Sequence, residues 1–89
     1  MLFIVVERFK AGNGVAVYRR FAERGRLLPE GLAYRASWVA ATGERCFQLM
    51  EGEDEALLDA WMAGWRDLVD FEVVPVVSSE EMVALHRAG

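Results

Sequence analysis

The stretch "RCFQLMEGEDEALLDAWMAGWRDLVDFEVVPVV" (Arg45–Val77) decides the architecture. Arg45–Glu51 reads as a strand, because it follows the hairpin-type connection "ATGE". Gly52–Asp54 then turns the chain into a helix, with Asp54 as its N-cap and acidic residues at the positive helix end. The pattern predicts that this helix runs to about Arg66. Leu58, Trp61, Trp65 and Leu68 recur at helical spacing and form one apolar stripe. Asp70–Val77 is a strand again, and Pro75, which cannot donate to a ladder, places it at an edge or a bulge.

Upstream, "LFIVVERF" (Leu2–Phe9) is rich in β-branched and aromatic residues and predicts a strand. "KAGNG" breaks it. From about Asn13 to Gly25, Val17, Tyr18 and Phe21 recur at helical spacing, and Gly25 supplies the stop. "RLLPEG" is a loop. "LAYRASWVA" (Leu32–Ala40) alternates, so Leu32, Tyr34, Ala36 and Trp38 are expected on one face and Ala33, Arg35, Ser37 and Val39 on the other. After the last strand, "SSEEMVALHR" carries a serine capping pattern and predicts a short terminal helix.

The order β-α-β-β-α-β describes an α+β, ferredoxin-like fold built from two right-handed crossovers around a central hairpin. The chain has 89 residues, room for a single domain with its core in 2–77 and a helical tail in 78–89. A chain this short has a marginal core of its own. Yet 54% of its residues are hydrophobic, which points to a surface that something else covers.

Two helices cover only one side of a four-stranded sheet. A sheet with one wet face should alternate between apolar and polar residues. The first strand instead runs Leu2, Phe3, Ile4, Val5, Val6, and the last runs Val73, Val74, then Val76, Val77. Leaving such side chains in water forfeits about 1.5–3 kcal/mol each. A homodimer that pairs identical sheet faces is the economical arrangement.

With that expectation, "ERF…RFAERGRLLPEGLAYRASWV…RCFQLME…LLDAWMAGWRDLVDFEVVPV" resembles a family of short bacterial proteins known only as a domain of unknown function. The likeness covers Val6 to Val77. A ferredoxin-like unit pairing sheet to sheet also resembles the dimeric α/β-barrel superfamily, which includes antibiotic-biosynthesis-type monooxygenases, muconolactone isomerases and YciI-like proteins. That resemblance implies a dimeric barrel and a ligand cavity between helices and sheet. It implies no particular activity, because one fold hosts many.

Several function classes are disfavoured. The net charge of −4 is wrong for nucleic acid. No apolar run approaches the roughly 20 residues of a membrane-spanning helix. The start "MLFIVVERFK" lacks signal-peptide features, and the lone Cys46 excludes an internal disulfide, so a cytoplasmic setting is expected. No metal-ligand spacing, dinucleotide fingerprint or nucleophile motif occurs, so neither cofactor nor metal is expected and the catalytic residues stay unassigned.

The residues left to carry binding are Tyr34, Trp38, Arg45, Trp61, Trp65 and Arg8. The aromatic ones either fill the core or wall a ligand pocket. The arginines either pair with carboxylates or hold an anionic ligand such as a carboxylate or phenolate. Cys46 is either a buried structural thiol or one activated by its neighbour Arg45. Arg19, Arg20, Arg24 and Arg26 read as a solvated helix face interrupted by Glu23. His86, alone on the terminal helix, is expected to be exposed.

Three functions fit. The first is a protein that binds a small aromatic or anionic organic molecule between helices and sheet. The second is a cofactor-independent monooxygenase or isomerase, with Glu7, Glu51, Tyr34 or His86 as proton acceptor. The third is a structural, protein-interaction subunit.

Overall fold

The computed structural model describes residues 1–88. Its elements are β1 (Leu2–Phe9), α1 (Gly14–Arg24), β2 (Ala33–Val39), β3 (Arg45–Glu51), α2 (Glu55–Ala63), β4 (Val69–Val76) and α3 (Ser79–Ala88). The sheet order is β2-β3-β1-β4, and every neighbouring pair is antiparallel. The β1-α1-β2 connection passes over β3, and β3-α2-β4 passes over β1. This is the split β-α-β arrangement that the element order predicts.

The helix ends follow local chemistry. Asp54 caps α2 through a hydrogen bond from Ala56 N–H to its Oδ1 (2.9 Å). Gly25 ends α1 at φ +66°, a left-handed conformation that favours glycine, with its N–H bonded to the Phe21 carbonyl (2.8 Å). Ser78 Oγ accepts from Glu81 N–H (3.1 Å) at the start of α3. The second main helix stops at Ala63 rather than Arg66. There the Gly64 and Trp65 N–H groups bond to the carbonyls three residues back, at 3.1 and 2.9 Å, so the chain tightens into turns. Trp65 stays buried beyond the helix end, so the apolar stripe outlasts the helix that it predicted.

The core sits on one side of the sheet. Phe3 and Val5 of β1 and Met50 of β3 are fully buried against Val17 of α1 and Leu58, Trp61 and Met62 of α2. Pro75 lies on β4, an edge strand, as the missing donor requires.

Strand β2 departs from the simple alternation. Tyr34 pairs with Met50, but the next regular pair is Ala36 with Leu49, so a β-bulge lies between them. The extra residue shifts the phase of the strand. Tyr34 therefore shares the helix-covered side with Met50, while Ala36 and Trp38 share the open side with Leu49 and Phe47. The expectation of one common face for Leu32, Tyr34, Ala36 and Trp38 is corrected by that single insertion.

Cutting Met50 to alanine should cost about 2–5 kcal/mol in urea unfolding, because a fully enclosed thioether leaves a cavity. Asp54→Ala should cost only about 1 kcal/mol in the same assay, the value of a helix cap.

Candidate functional site

Trp61 and Trp65 are 2% and 6% exposed, so both indoles belong to the core. Their polar handles do something more specific. Both Nε1–H groups donate to one acceptor, the carbonyl oxygen of Arg26, at 2.9 and 3.1 Å. The loop after α1 is thereby tied to the far end of α2. Arg20 adds a second tie from α1, donating to the Gly64 carbonyl (2.9 Å) and forming a bidentate pair with Asp67 (2.7 Å each). That pair holds the Asp67 carboxyl below its usual range.

Tethering the backbone of Arg26 positions its side chain. The guanidinium lies 3.5 Å from the centre of the Tyr34 ring and 5.0 Å from that of Phe21, a cation–π contact with each. Arg20 and Arg26 thus leave the solvated face expected for the arginine cluster. Arg26 lies beyond the helix, half-buried.

Beneath this loop, the helix-covered side of the sheet carries an unusual polar row. Glu7 of β1 stands opposite Cys46 of β3 and Phe71 of β4. Next to it, Ser37 of β2 stands opposite Gln48 of β3. Glu7 and Gln48 are both buried, at 7% and 8% exposure, and the Gln48 amide N–H donates to the Glu7 carboxylate. Ser37 shares a 2.7 Å hydrogen bond with the Tyr34 hydroxyl. Burial pushes the Glu7 carboxyl up to about 7, against the opposing pull of the Gln48 hydrogen bond and the positive charge of Arg26. A carboxyl so placed changes charge near neutral pH.

The other oxygen-bearing end of the amide is left over. Gln48 Oε1 is buried and has no hydrogen-bond partner among the described residues. Buried polar atoms are nearly always paired, so an orphan of this kind marks a place where a donor belongs.

The predicted binding residues divide between the two sides of the sheet. Tyr34, Trp61 and Trp65 lie on the helix side, around Arg26 and Glu7. Trp38, Arg45 and Arg8 lie on the open side, where Trp38 is 58% exposed and stands opposite Phe47, which in turn stands opposite Val6. They cannot serve one helix–sheet pocket together.

Among the proposed proton acceptors, Glu51 is held by Arg35, and His86 is exposed on α3 with Nδ1 3.0 Å from the Met82 carbonyl. Cys46 is buried, and desolvation together with the nearby Glu7 charge pushes its thiol up to about 11. Arg45 faces away from it and does not activate it. Among the described residues no group of His, Cys, Asp or Glu is arranged to hold a metal, and no helix is long and apolar enough to cross a membrane.

The model of the family described as "Domain of unknown function (DUF3303)" matches residues 1–89. The chain belongs to the DUF3303 family. No curated protein matches it in sequence. Among solved structures, it is similar to an uncharacterized NIPSNAP domain protein from Burkholderia xenovorans, with TM-score 0.52, 12% identity, and coverage of 89% of this chain and 97% of that one. It is also similar to Rv0793 from Mycobacterium tuberculosis, with TM-score 0.51, 12% identity, and coverage of 88% and 96%. At that identity the likeness is one of fold.

Arg26 and Gln48 are the residues of this candidate site that sequence reasoning did not single out for binding. A neutral glutamine in a strand gives no signal, and Arg26 is hidden in a run of surface arginines. The Glu7 carboxyl has a measurable consequence. The folded state holds its proton up to about pH 7, whereas the unfolded chain releases it near 4.5. Folding stability should therefore fall as pH rises through that window, by about 3 kcal/mol at most. Glu7→Gln should remove this slope and stabilise the protein above pH 7 in urea titrations. An unchanged slope in the variant would refute the assignment. Arg26→Gln should raise the Glu7 midpoint further, read from carbon-13 shifts of its carboxyl.

Proposed function

We propose that this DUF3303 protein is a homodimer that binds a small aromatic or anionic organic molecule between its helices and its sheet. The observation that carries the binding is the buried, unpartnered Gln48 Oε1 beside the Glu7 carboxylate. The one unpartnered acceptor, Gln48 Oε1, calls for a hydroxyl or amine donor from a ligand. The aromatic lining and the positive charge come from Tyr34, Phe21 and Arg26. Trp61 and Trp65 support the wall by holding Arg26 rather than by touching the ligand. Entry is from the β2 edge, where Val39 is 47% exposed although it stands opposite the buried Cys46.

The dimer rests on the other side of the sheet. Ala36, Leu49, Ile4 and Val74 form one cross-strand row there, and Trp38, Phe47, Val6 and Glu72 form the next. Apart from Glu72 this is an apolar surface, and pairing it with a second copy builds a two-sheet barrel.

A second reading is a cofactor-independent isomerase or monooxygenase. It is favoured by the near-neutral Glu7, which can take a proton from a phenol or an enol at physiological pH.

Two measurements test these readings. Titration with 4-hydroxybenzoate, followed by NMR, should shift the Gln48 side-chain amide signals, and Gln48→Leu should abolish binding while the fold persists. Silent Gln48 signals at saturating ligand would end the binding proposal. Sedimentation should give a dimer for the wild type and a monomer for Trp38→Glu. A wild-type monomer at micromolar concentration would end the dimer proposal.

A further inference from the structure

Arg8 and Arg45 stand directly opposite each other across the β1–β3 ladder, on the open side of the sheet. Like charges in that relation destabilise a strand pair. Two other arginines are offset by carboxylates, Arg20 by Asp67 and Arg35 by Glu51. Among the described residues, no carboxylate lies within 4.0 Å of Arg8 or Arg45. The row continues to Asp70, which faces Arg8 from β4. Arg45 leans over the ring of Phe47 at 5.4 Å. Neither cation of the pair is thus within ion-pair distance of a carboxylate, although Asp70 shares the row, and a bound anion would relieve their mutual repulsion.

They also share a cavity. A cleft of about 730 Å³ at this end of the sheet is lined by Arg8, Phe9, Lys10, Gly12, Glu44 and Arg45, so three cations face one carboxylate. Gly12, at φ +78° with open space where a Cβ would stand, lets the backbone of the β1–α1 loop approach a ligand closely. The first turn of α1 meets the cleft at Gly14. That turn has no acidic residue, and Asn13 makes no side-chain cap. Its free N–H groups add to the attraction, which the arginine pair carries.

We propose that this cleft binds the phosphoryl dianion of a small organic phosphate. Two guanidinium forks and one ammonium match the several oxygens and double charge of a phosphomonoester better than the two oxygens of a single carboxylate. The arginine pair is on the opposite face of the sheet from Glu7, and the cleft, at the end of the sheet, shares no lining residue with the pocket proposed around Glu7 and Gln48.

The test uses the full chain and phenyl phosphate, titrated by NMR at about pH 8. Saturable shifts should appear at Gly12, Gly14 and the Arg8 and Arg45 side chains. Arg8→Gln and Arg45→Gln should each weaken binding roughly 10- to 100-fold, the value of one charge-assisted contact. Arg19→Gln, on exposed α1 surface, should bind as the wild type does. Binding should weaken at about pH 5, below the second phosphate pKa of about 6. The proposal is overturned if phenol binds as well as phenyl phosphate, or if no saturation occurs at millimolar ligand. It is equally overturned if Arg8→Gln and Arg45→Gln leave binding unchanged. If they dissociate the dimer at the same time, carboxylates of a second copy occupy the cleft instead.

Discussion

One carbonyl oxygen organises the helix side of this molecule. The backbone oxygen of Arg26 accepts hydrogen bonds from both Trp61 and Trp65, residues four apart near the end of α2. The loop that begins at Gly25 contains two exposed leucines, Leu27 and Leu28, and Leu27 stands at positive φ, so before the buried Leu32 its apolar side chains contribute little anchoring. The two indoles supply what it lacks. Because they are themselves buried in the core, they anchor the Arg26 backbone to it. Its guanidinium is then presented to Tyr34 above a buried carboxyl. Packing, loop conformation and electrostatics are in this way linked through a single acceptor.

The Glu7–Gln48 pair illustrates how a small domain can carry a functional polar group inside. A buried carboxylate costs several kcal/mol unless it is neutralised or well hydrogen-bonded. Here one amide hydrogen bond and one distant guanidinium compensate only part of that cost, so the proton stays on to about pH 7. Meanwhile the amide that serves the carboxylate leaves its own oxygen without a donor. An all-apolar pair at these positions would be cheaper for stability. A buried polar pair with one oxygen unsatisfied is the kind of local inconsistency that accompanies a binding function.

Much of the fold was legible in the amino-acid pattern, because apolar spacing, caps and glycine stops speak for short segments independently. β1 and β3 have the predicted ends, and both crossovers follow from element order. The face of Tyr34 was not legible. Strict alternation assigns it to the side of Trp38, and nothing local in "YRAS" announces the inserted residue that reverses the phase. The candidate site was less readable than the fold for a related reason. Tyr34, Trp61 and Trp65 stand out by their size, yet their role depends on a loop carbonyl. Arg8 and Arg45 stand out by charge, but only the register reveals that they are neighbours. Gln48 offers no mark at all until its partner is known.

The two sheet margins bear on how such a molecule avoids runaway assembly. β4 carries Pro75, which has no N–H to offer an incoming strand, and β2 is kinked by its bulge. Both are poor templates for another chain's ladder, a common defence against fibre growth. Lateral recruitment, which has no natural end point, is thereby discouraged at either border. Contact through the broad flat side, as in the proposed dimer, would be saturated by one copy, so the borders favour a closed, finite particle over an open-ended polymer.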